Sequence, residues 1–375
     1  MAERSEVSRI DEADELVIFK RVKRPSSPAK SPGEIQSISD FATYLGLSYC
    51  TVSRALNGHP MVKAETRERI LREMDAIGFR PNPFARSLRG QGLGLIGICV
   101  VGVNAPILST KIFHLQKFLR DHNLRGLLEI AEDTQESELR VIEDFVRIRT
   151  EGIVLIYSCL PAATTRDSFT EIPFVHVDPQ DMRQVPSVAL DRPKAMTRLF
   201  DHLFELGHRR FALMGVSRKD RWRGPALERR AQEVGLDPDC CFEELPKFTK
   251  DSSISQGRAL VERYLRNNPD PATAFIALDD VTAIGVTEGI RRLGYRVPED
   301  FSVTGFDHLE IGQELTPSLT TIEQESQEMM DAVGKLLLQE ISNKRSAPSL
   351  HLVEPRIVLG QSTGPVRSHR LHSLT

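Results

Sequence analysis

The segment that most constrains this chain is Ser37 to Gly58, SISDFATYLGLSYCTVSRALNG. Its pattern predicts two short helices joined by a tight turn. Ser37 has the hydroxyl of a helix N-cap, and Asp40, three residues on, places a carboxylate at the positive end of the first helix. Phe41, Ala42 and Leu45 recur at helical spacing on one apolar face. Gly46 supplies the turn, and Ser48 is placed to cap a second helix running to about Asn57. At roughly 100° per residue, Val52, Ala55 and Leu56 point one way and Tyr49, Cys50, Ser53 and Arg54 the other. A buried seam opposite a row of hydrogen-bonding groups with one arginine is what a helix needs to lie in a DNA major groove. A helical hairpin whose polar face meets only water has the same pattern.

Thr66 to Gly78 (TRERILREMDAIG) adds a third amphipathic helix with Ile70, Met74 and Ile77 inward. Three such helices close only a small core, marginal for its size. Charge divides along the chain: residues 37–92 carry 8 Lys+Arg against 5 Asp+Glu, whereas residues 93–375 carry 34 against 40, for an overall −3. A basic small domain on an acidic large one suits contact with phosphates at one end only.

At 375 residues, 40% hydrophobic and 27% charged, the chain has the length and composition of two or three soluble globular domains. No apolar run approaches the ~20 residues of a membrane span. The opening MAERSEVSRIDEADE is acidic and polar, unlike a secretory signal. Cys50, Cys99, Cys159, Cys240 and Cys241 show neither CxxC nor Cys/His metal spacing, and their odd number argues against a disulfide framework. The expectation is a cytoplasmic protein without membrane, metal or cofactor.

Residues 1–36 read as a disordered extension in which FKRVKRPSSPAKSPG holds five bases and no acid. That stretch is either an arm adding sequence-independent DNA affinity or a dispensable extension. After the third helix, Phe79-Arg80-Pro81-Asn82-Pro83 is a stiff connector. Asn82, Pro83 and Gly90 then frame one very short helix, far below the length stable alone in water. It is therefore a loop, or a helix formed only against a partner. From Leu93 the texture alternates. Strands are expected at 95–101, 126–131, 152–157, 173–177 and 187–190, with helices at 110–122 and 135–149. A second series follows with helices at 194–206, 224–234, 254–267 and 281–293 and strands at 209–215, 273–278 and 301–306. LTTI (319–322), a helix over 326–342 and a strand near 350–358 close the chain. Such alternation means two doubly wound parallel-sheet lobes, with a cleft at the carboxyl ends of their strands.

These residues resemble the lactose-repressor/galactose-repressor family of bacterial transcription regulators over Ser37 to Leu359. The signatures are TVSRALNG (51–58), TRERI (66–70), IGFRPNPFARSLR (77–89), LFELGHRRFALMG (203–215), VPEDFSVTGFD (297–307) and LTTI (319–322). The resemblance implies an all-α helix-turn-helix headpiece (37–80), a hinge helix (81–92) and an α/β core of periplasmic-binding-protein type (93–360), followed by a tail (361–375). It also implies a homodimer or tetramer on double-stranded, near-palindromic operator DNA, usually as a repressor, switched by a small polar effector such as a sugar.

By the same resemblance Tyr49, Cys50 and Arg54 read base edges, Arg54 being the best candidate for a bidentate contact to guanine. Ser48, Thr51, Ser53 and Asn57 grip phosphates. Ala85 and Leu88 belong to the hinge, with Leu88 as the wedge entering the minor groove. Lys63 stands where relatives carry a capping serine. Effector contacts fall on Arg221, Asp279 and Asp307. Asp280 reads as the cap of the helix from Val281, a role Asp279 could share, and Arg221 sits in the basic run RKDRWR (218–223) that could equally be solvated. Where relatives have an Asn-Pro-Phe-Phe stretch with aromatics facing the cleft, this chain has GVNAPILSTKIFHL (102–115), without the stacking pair.

Two other classes fit less well. A binding protein of periplasmic type would lack the headpiece. An enzyme would carry chemistry, and neither GxSxG, GxxxxGK[ST], HExxH nor a helix-opening GxGxxG occurs. His202 and His208 are expected to be ordinary surface residues.

Overall fold

The computed structural model describes residues 35–80 and 94–366, apart from 57, 103–104, 162–163, 165–171, 180–184, 246–252 and 344–347. The expected hinge helix at 81–92 and residues 1–34 and 367–375 lie outside the described residues. The chain divides into two compact units, Met1–Gln91 and Gly92–Thr375.

In the first unit, α1 (Ile38–Leu45), α2 (Tyr49–Leu56) and α3 (Ala64–Ala76) form a three-helix core. A reciprocal cap opens α1: Asp40 N donates to Ser37 Oγ at 3.1 Å and Ser37 N to Asp40 Oδ2 at 3.1 Å. Gly46 ends it at φ +67°, a left-handed turn that costs glycine nothing. Ser48 Oγ accepts from Thr51 N at 3.1 Å and starts α2. Lys63 gives α3 no side-chain cap; instead Arg67 Nη2 donates to His59 O at 2.8 Å and ties the helix to the loop before it. Phe41, Val52 and Ile70 are fully buried. Phe79, expected in the connector, joins them, its ring 4.9 Å from that of Phe41. In so small a core one buried aromatic contributes about 2–3 kcal/mol, which explains its recruitment.

The second unit has two lobes. In the first, β1 (Leu95–Val101), α4 (Pro106–Asp121), β2 (Arg125–Ala131), α5 (Gln135–Ile148), β3 (Gly152–Ile156), β4 (Phe174–Val177) and β5 (Ser187–Leu190) alternate as expected. Pro106, at the first helical position where its missing N–H costs nothing, starts α4 four residues earlier than its periodicity suggests. In the second lobe come α6 (Arg192–Glu205), β6 (Phe211–Met214), α7 (Arg223–Glu233), α8 (Pro238–Cys241), β7 (Phe242–Leu245), α9 (Ile254–Asn267), β8 (Ala274–Ala277), α10 (Asp280–Arg292), β9 (Ser302–Thr304) and α11 (Glu310–Gln313). Its parallel sheet runs β7-β6-β8-β9. β7 was not anticipated: FEEL, an edge strand with two glutamates, lacks the apolar run of a central strand.

The chain crosses between lobes at three places. It passes from β5 into α6; it returns through β10 (Thr321–Glu323) to α12 (Ser326–Asn343); and it leaves again between β11 (Leu350–Val353) and β12 (Arg356–Val358). The expected single strand near 350–358 is thus split. Pro355 has no N–H for a ladder, and Glu354 turns aside to pair with Lys194 at 2.9 Å and with Arg198. β11 completes the first sheet, β11-β5-β4-β3-β1-β2, while β12 pairs antiparallel with β10.

Two further expectations are corrected. The tail does not begin at 361, because Ser362 is fully buried, donating to Val303 O at 2.6 Å and accepting from Thr320 N at 2.8 Å. His208 is not on the surface. It is buried with Nδ1 2.8 Å from Thr273 Oγ1 and Nε2 2.9 Å from Ser302 Oγ, fastening the same returning segment through Gly364 O.

Candidate nucleic-acid interface and effector cleft

The turn after Gly46 rolls α2 so that Val52 and Ala55 enter the headpiece core. Ser48, Cys50 and Arg54 are exposed on the outer face, with Thr51 and Ser53 partly so. Tyr49 departs from the expected pattern: it is half-buried and packs against the core, so only part of the ring borders that face. Asn57, Ala85 and Leu88 lie outside the described residues.

Within the second unit, charged side chains gather at the carboxyl ends of both parallel sheets. On the first lobe Asp178, just past β4 at φ 51°, is a saturated acceptor. Its Oδ1 takes Leu190 N at 2.9 Å and Arg192 Nη1 at 2.5 Å; its Oδ2 takes Arg192 Nη2 at 3.0 Å and Lys111 Nζ at 3.0 Å. Lys111 is fully buried on α4, with Tyr157 Oη 3.3 Å from its ammonium. Burial alone would raise the Asp178 pKa, but the Arg192 and then the Lys111 charge outweigh it and hold the carboxyl well below the usual range.

On the second lobe, Asp279 caps α10, its Oδ1 accepting Thr282 N at 2.8 Å. The expected cap, Asp280, is instead the first helical residue. It is fully buried, accepting Thr321 Oγ1 at 2.6 Å and Leu309 N at 2.7 Å. A Cβ on Gly305 would lie 2.1 Å from its Oδ1, so glycine there makes room for the carboxylate. Asp307 sits at φ 112° with Gln324 Nε2 2.5 Å from its Oδ1. Burial, then the neighbouring Asp279 and Asp280, push Asp307 up to about 7; burial also pushes Asp280 up to about 7 against the bonds it accepts.

Arg221 is exposed. The arginine that turns inward is Arg223, which donates through Nη1 to Leu278 O at 3.0 Å and lies over the Phe306 ring, 4.6 Å from its centroid. Burial lowers its pKa, and so does the charge of Arg192. A turn explains the exchange: Asp220 Oδ1 accepts both Trp222 N at 2.9 Å and Arg223 N at 2.8 Å, so α7 starts at Arg223.

Residues 37–82 match the model of bacterial regulatory proteins of the lacI family, and residues 200–363 match that of periplasmic binding protein-like domains. The HTH-type transcriptional regulator reg1 of Streptomyces lividans is 30% identical over 354 residues, covering 89% of this chain and 98% of that one. The chain belongs to the lacI family. Catabolite control protein A of Priestia megaterium is 25% identical over 336 residues, covering 87% of this chain and 99% of that protein. The crystal structure of the lac repressor dimer bound to operator and the anti-inducer ONPF superposes with a TM-score of 0.78 at 25% identity, covering 88% of this chain and 99% of that one. The protein is accordingly a DNA-binding transcription regulator whose effector domain is of periplasmic-binding type.

For a lacI-family chain, sequence reasoning overlooked Lys111, Tyr157, Asp178, Arg192 and Arg223. Some signal was present. Lys111 falls on the apolar stripe of its helix with Ile107, Leu108 and Leu115, where an ionisable residue needs a buried partner. Asp178 and Arg192 follow closely on short apolar strands, at the end where an α/β sheet binds ligands.

Proposed function

We propose that this lacI-family protein represses transcription by binding a near-palindromic operator as a dimer, and that a small polar metabolite in the cleft sets its affinity for that operator. The reading rests on one observation. A capped α2 displays Ser48, Cys50, Thr51, Ser53 and Arg54 opposite a buried seam, on a chain that also gathers charged side chains at the carboxyl ends of two parallel sheets. Arg54 reads guanine, with Tyr49 and Cys50 beside it at the base edges. Ser48, Thr51, Ser53 and Asn57 hold phosphates, and Ala85 and Leu88 meet the minor groove. Arg223 takes the place first given to Arg221 at the effector, alongside Asp307, while Asp279 serves the helix it caps.

The working parts are the headpiece at 37–80, the hinge at 81–92 and the effector core from 93. Effector binding changes the angle between lobes and with it the spacing of the two hinge segments in the dimer. One spacing lets them pair as helices and insert both Leu88 side chains. The chain acts by binding alone, without catalysis, in the cytoplasm; among the described residues no helix is long and apolar enough to cross a membrane.

A gel shift with the DNA upstream of the gene tests this. The full chain is expected to bind it. Arg54→Ala should relax preference at one base pair per half-site by about 1–3 kcal/mol. Loss spread evenly over all sequences would demote Arg54 to a phosphate contact, and absence of binding by the unaltered chain would overturn the proposal.

A further inference from the structure

We infer that the ligand of the cleft carries an oxyanion, a carboxylate or a phosphate, seated between Arg192 at the crossing point and Arg223 of the second lobe. The inference deepens the effector reading above and rests on it. Asp178 already accepts four hydrogen bonds and serves two cations, Lys111 and Arg192. The cluster of Asp178, Lys111 and Arg192 therefore keeps one positive charge in excess. Among the described residues no carboxylate lies within 4.0 Å of Arg223; burial and the field of Arg192 disfavour its charge, and the more distant Asp220, Asp307 and Asp279 offset this only in part. Its contacts are the Leu278 carbonyl and the Phe306 face. These orient a planar fork and leave further N–H donors for a ligand.

The acids near Arg223 are each engaged elsewhere. Asp220 receives two backbone N–H groups, Asp279 caps α10 and Asp307 is held by Gln324. A half-buried guanidinium without a close anion is unfavourable, and an oxyanion matches its fork in two parallel hydrogen bonds. A neutral polyol would leave Arg223 without a close anion, whereas Arg192 already pairs with Asp178.

The test uses the full chain and inorganic phosphate as the smallest probe, followed by thermal melting at constant ionic strength. Glucose 6-phosphate, gluconate and glucose are compared in parallel. Phosphate should raise the melting temperature saturably where chloride does not. Arg223→Gln should weaken phosphate roughly tenfold or more, and Arg223→Lys less, since it keeps the charge and loses the fork. A larger shift with glucose 6-phosphate than with gluconate points to a phosphate ester, and the reverse to a sugar acid. Equal phosphate binding by the unaltered chain and Arg223→Gln would overturn the inference, as would glucose stabilising at least as well as both acids. Operator affinity measured alongside separates the two readings. An oxyanion that binds through Arg223 yet leaves operator affinity unchanged upholds the ligand class and overturns the effector role.

Discussion

Lys111 lies on the buried face of α4 among Ile107, Leu108 and Leu115, and only the carboxylate projecting from the end of β4 makes it tolerable there. The two members of that pair are not equivalent. Asp178→Asn would leave Lys111 and Arg192 without their shared anion, a loss of about 3–5 kcal/mol for stranded buried charge. Lys111→Met would leave Asp178 with Arg192 and put an unbranched apolar chain in apolar surroundings, costing about 1–2 kcal/mol. Urea unfolding of the two variants should show that order, and equal or reversed costs would contradict the account of the triad. At this scale the sequence was legible where a single period decides orientation, as for Val52 and Ala55 against Cys50 and Arg54. It was not legible where a turn decides. Arg221 and Arg223 differ by two positions in a basic run, and only the pair of N–H bonds to Asp220 determines which of them heads the helix.

Among the elements, β4 carries an unusual burden. His176 lies between Leu155 of β3 and Ser187 of β5, fully enclosed, and neither ring nitrogen has a hydrogen-bonding partner among the described residues. Burial lowers its pKa from 6.5 to about 3. Between those values the unfolded chain binds a proton that the folded one refuses. Its contribution is therefore complete above pH 6.5 and lost as pH falls toward 3, by about 2 kcal/mol at pH 5. Asp280 and Asp307 act in the opposite sense: raised to about 7, they bind protons in the folded state that the unfolded chain has released, so their contribution declines as pH rises from 3.8 toward 7. His176→Leu should remove the acid limb contributed by β4. Urea unfolding at pH 7 and pH 5 should show this variant gaining about 2 kcal/mol at pH 5 relative to the unaltered chain, on top of the opposite trend that Asp280 and Asp307 give both proteins, and an identical pH dependence would contradict the assignment. Long periodic elements such as α9 and α12 were legible from sequence alone. β7 and the division between β11 and β12 were not, because short edge and crossing strands are defined by what they pair with.

On the scale of the whole molecule, the order of parts follows from the sequence: a capped helix pair, a segment too short to be a stable helix by itself, and two βα series. What it could not give was the content of the cleft. Cleft chemistry depends on side chains from β4, α4, α6, α7 and β9, which are distant in the chain and meet only when the sheets are assembled. The central claim is that operator binding and cleft occupancy meet at residues 81–92, through Leu88. The direct measurement is the operator affinity of the full chain and of Leu88→Ala by fluorescence anisotropy, with phosphate binding to the core followed in the same samples. The account predicts that Leu88→Ala loses the minor-groove insertion and weakens operator binding at least tenfold, an order of magnitude taken from the energy of wedge-induced kinking, while phosphate binding is unchanged. Equal operator affinity in the two proteins would contradict it.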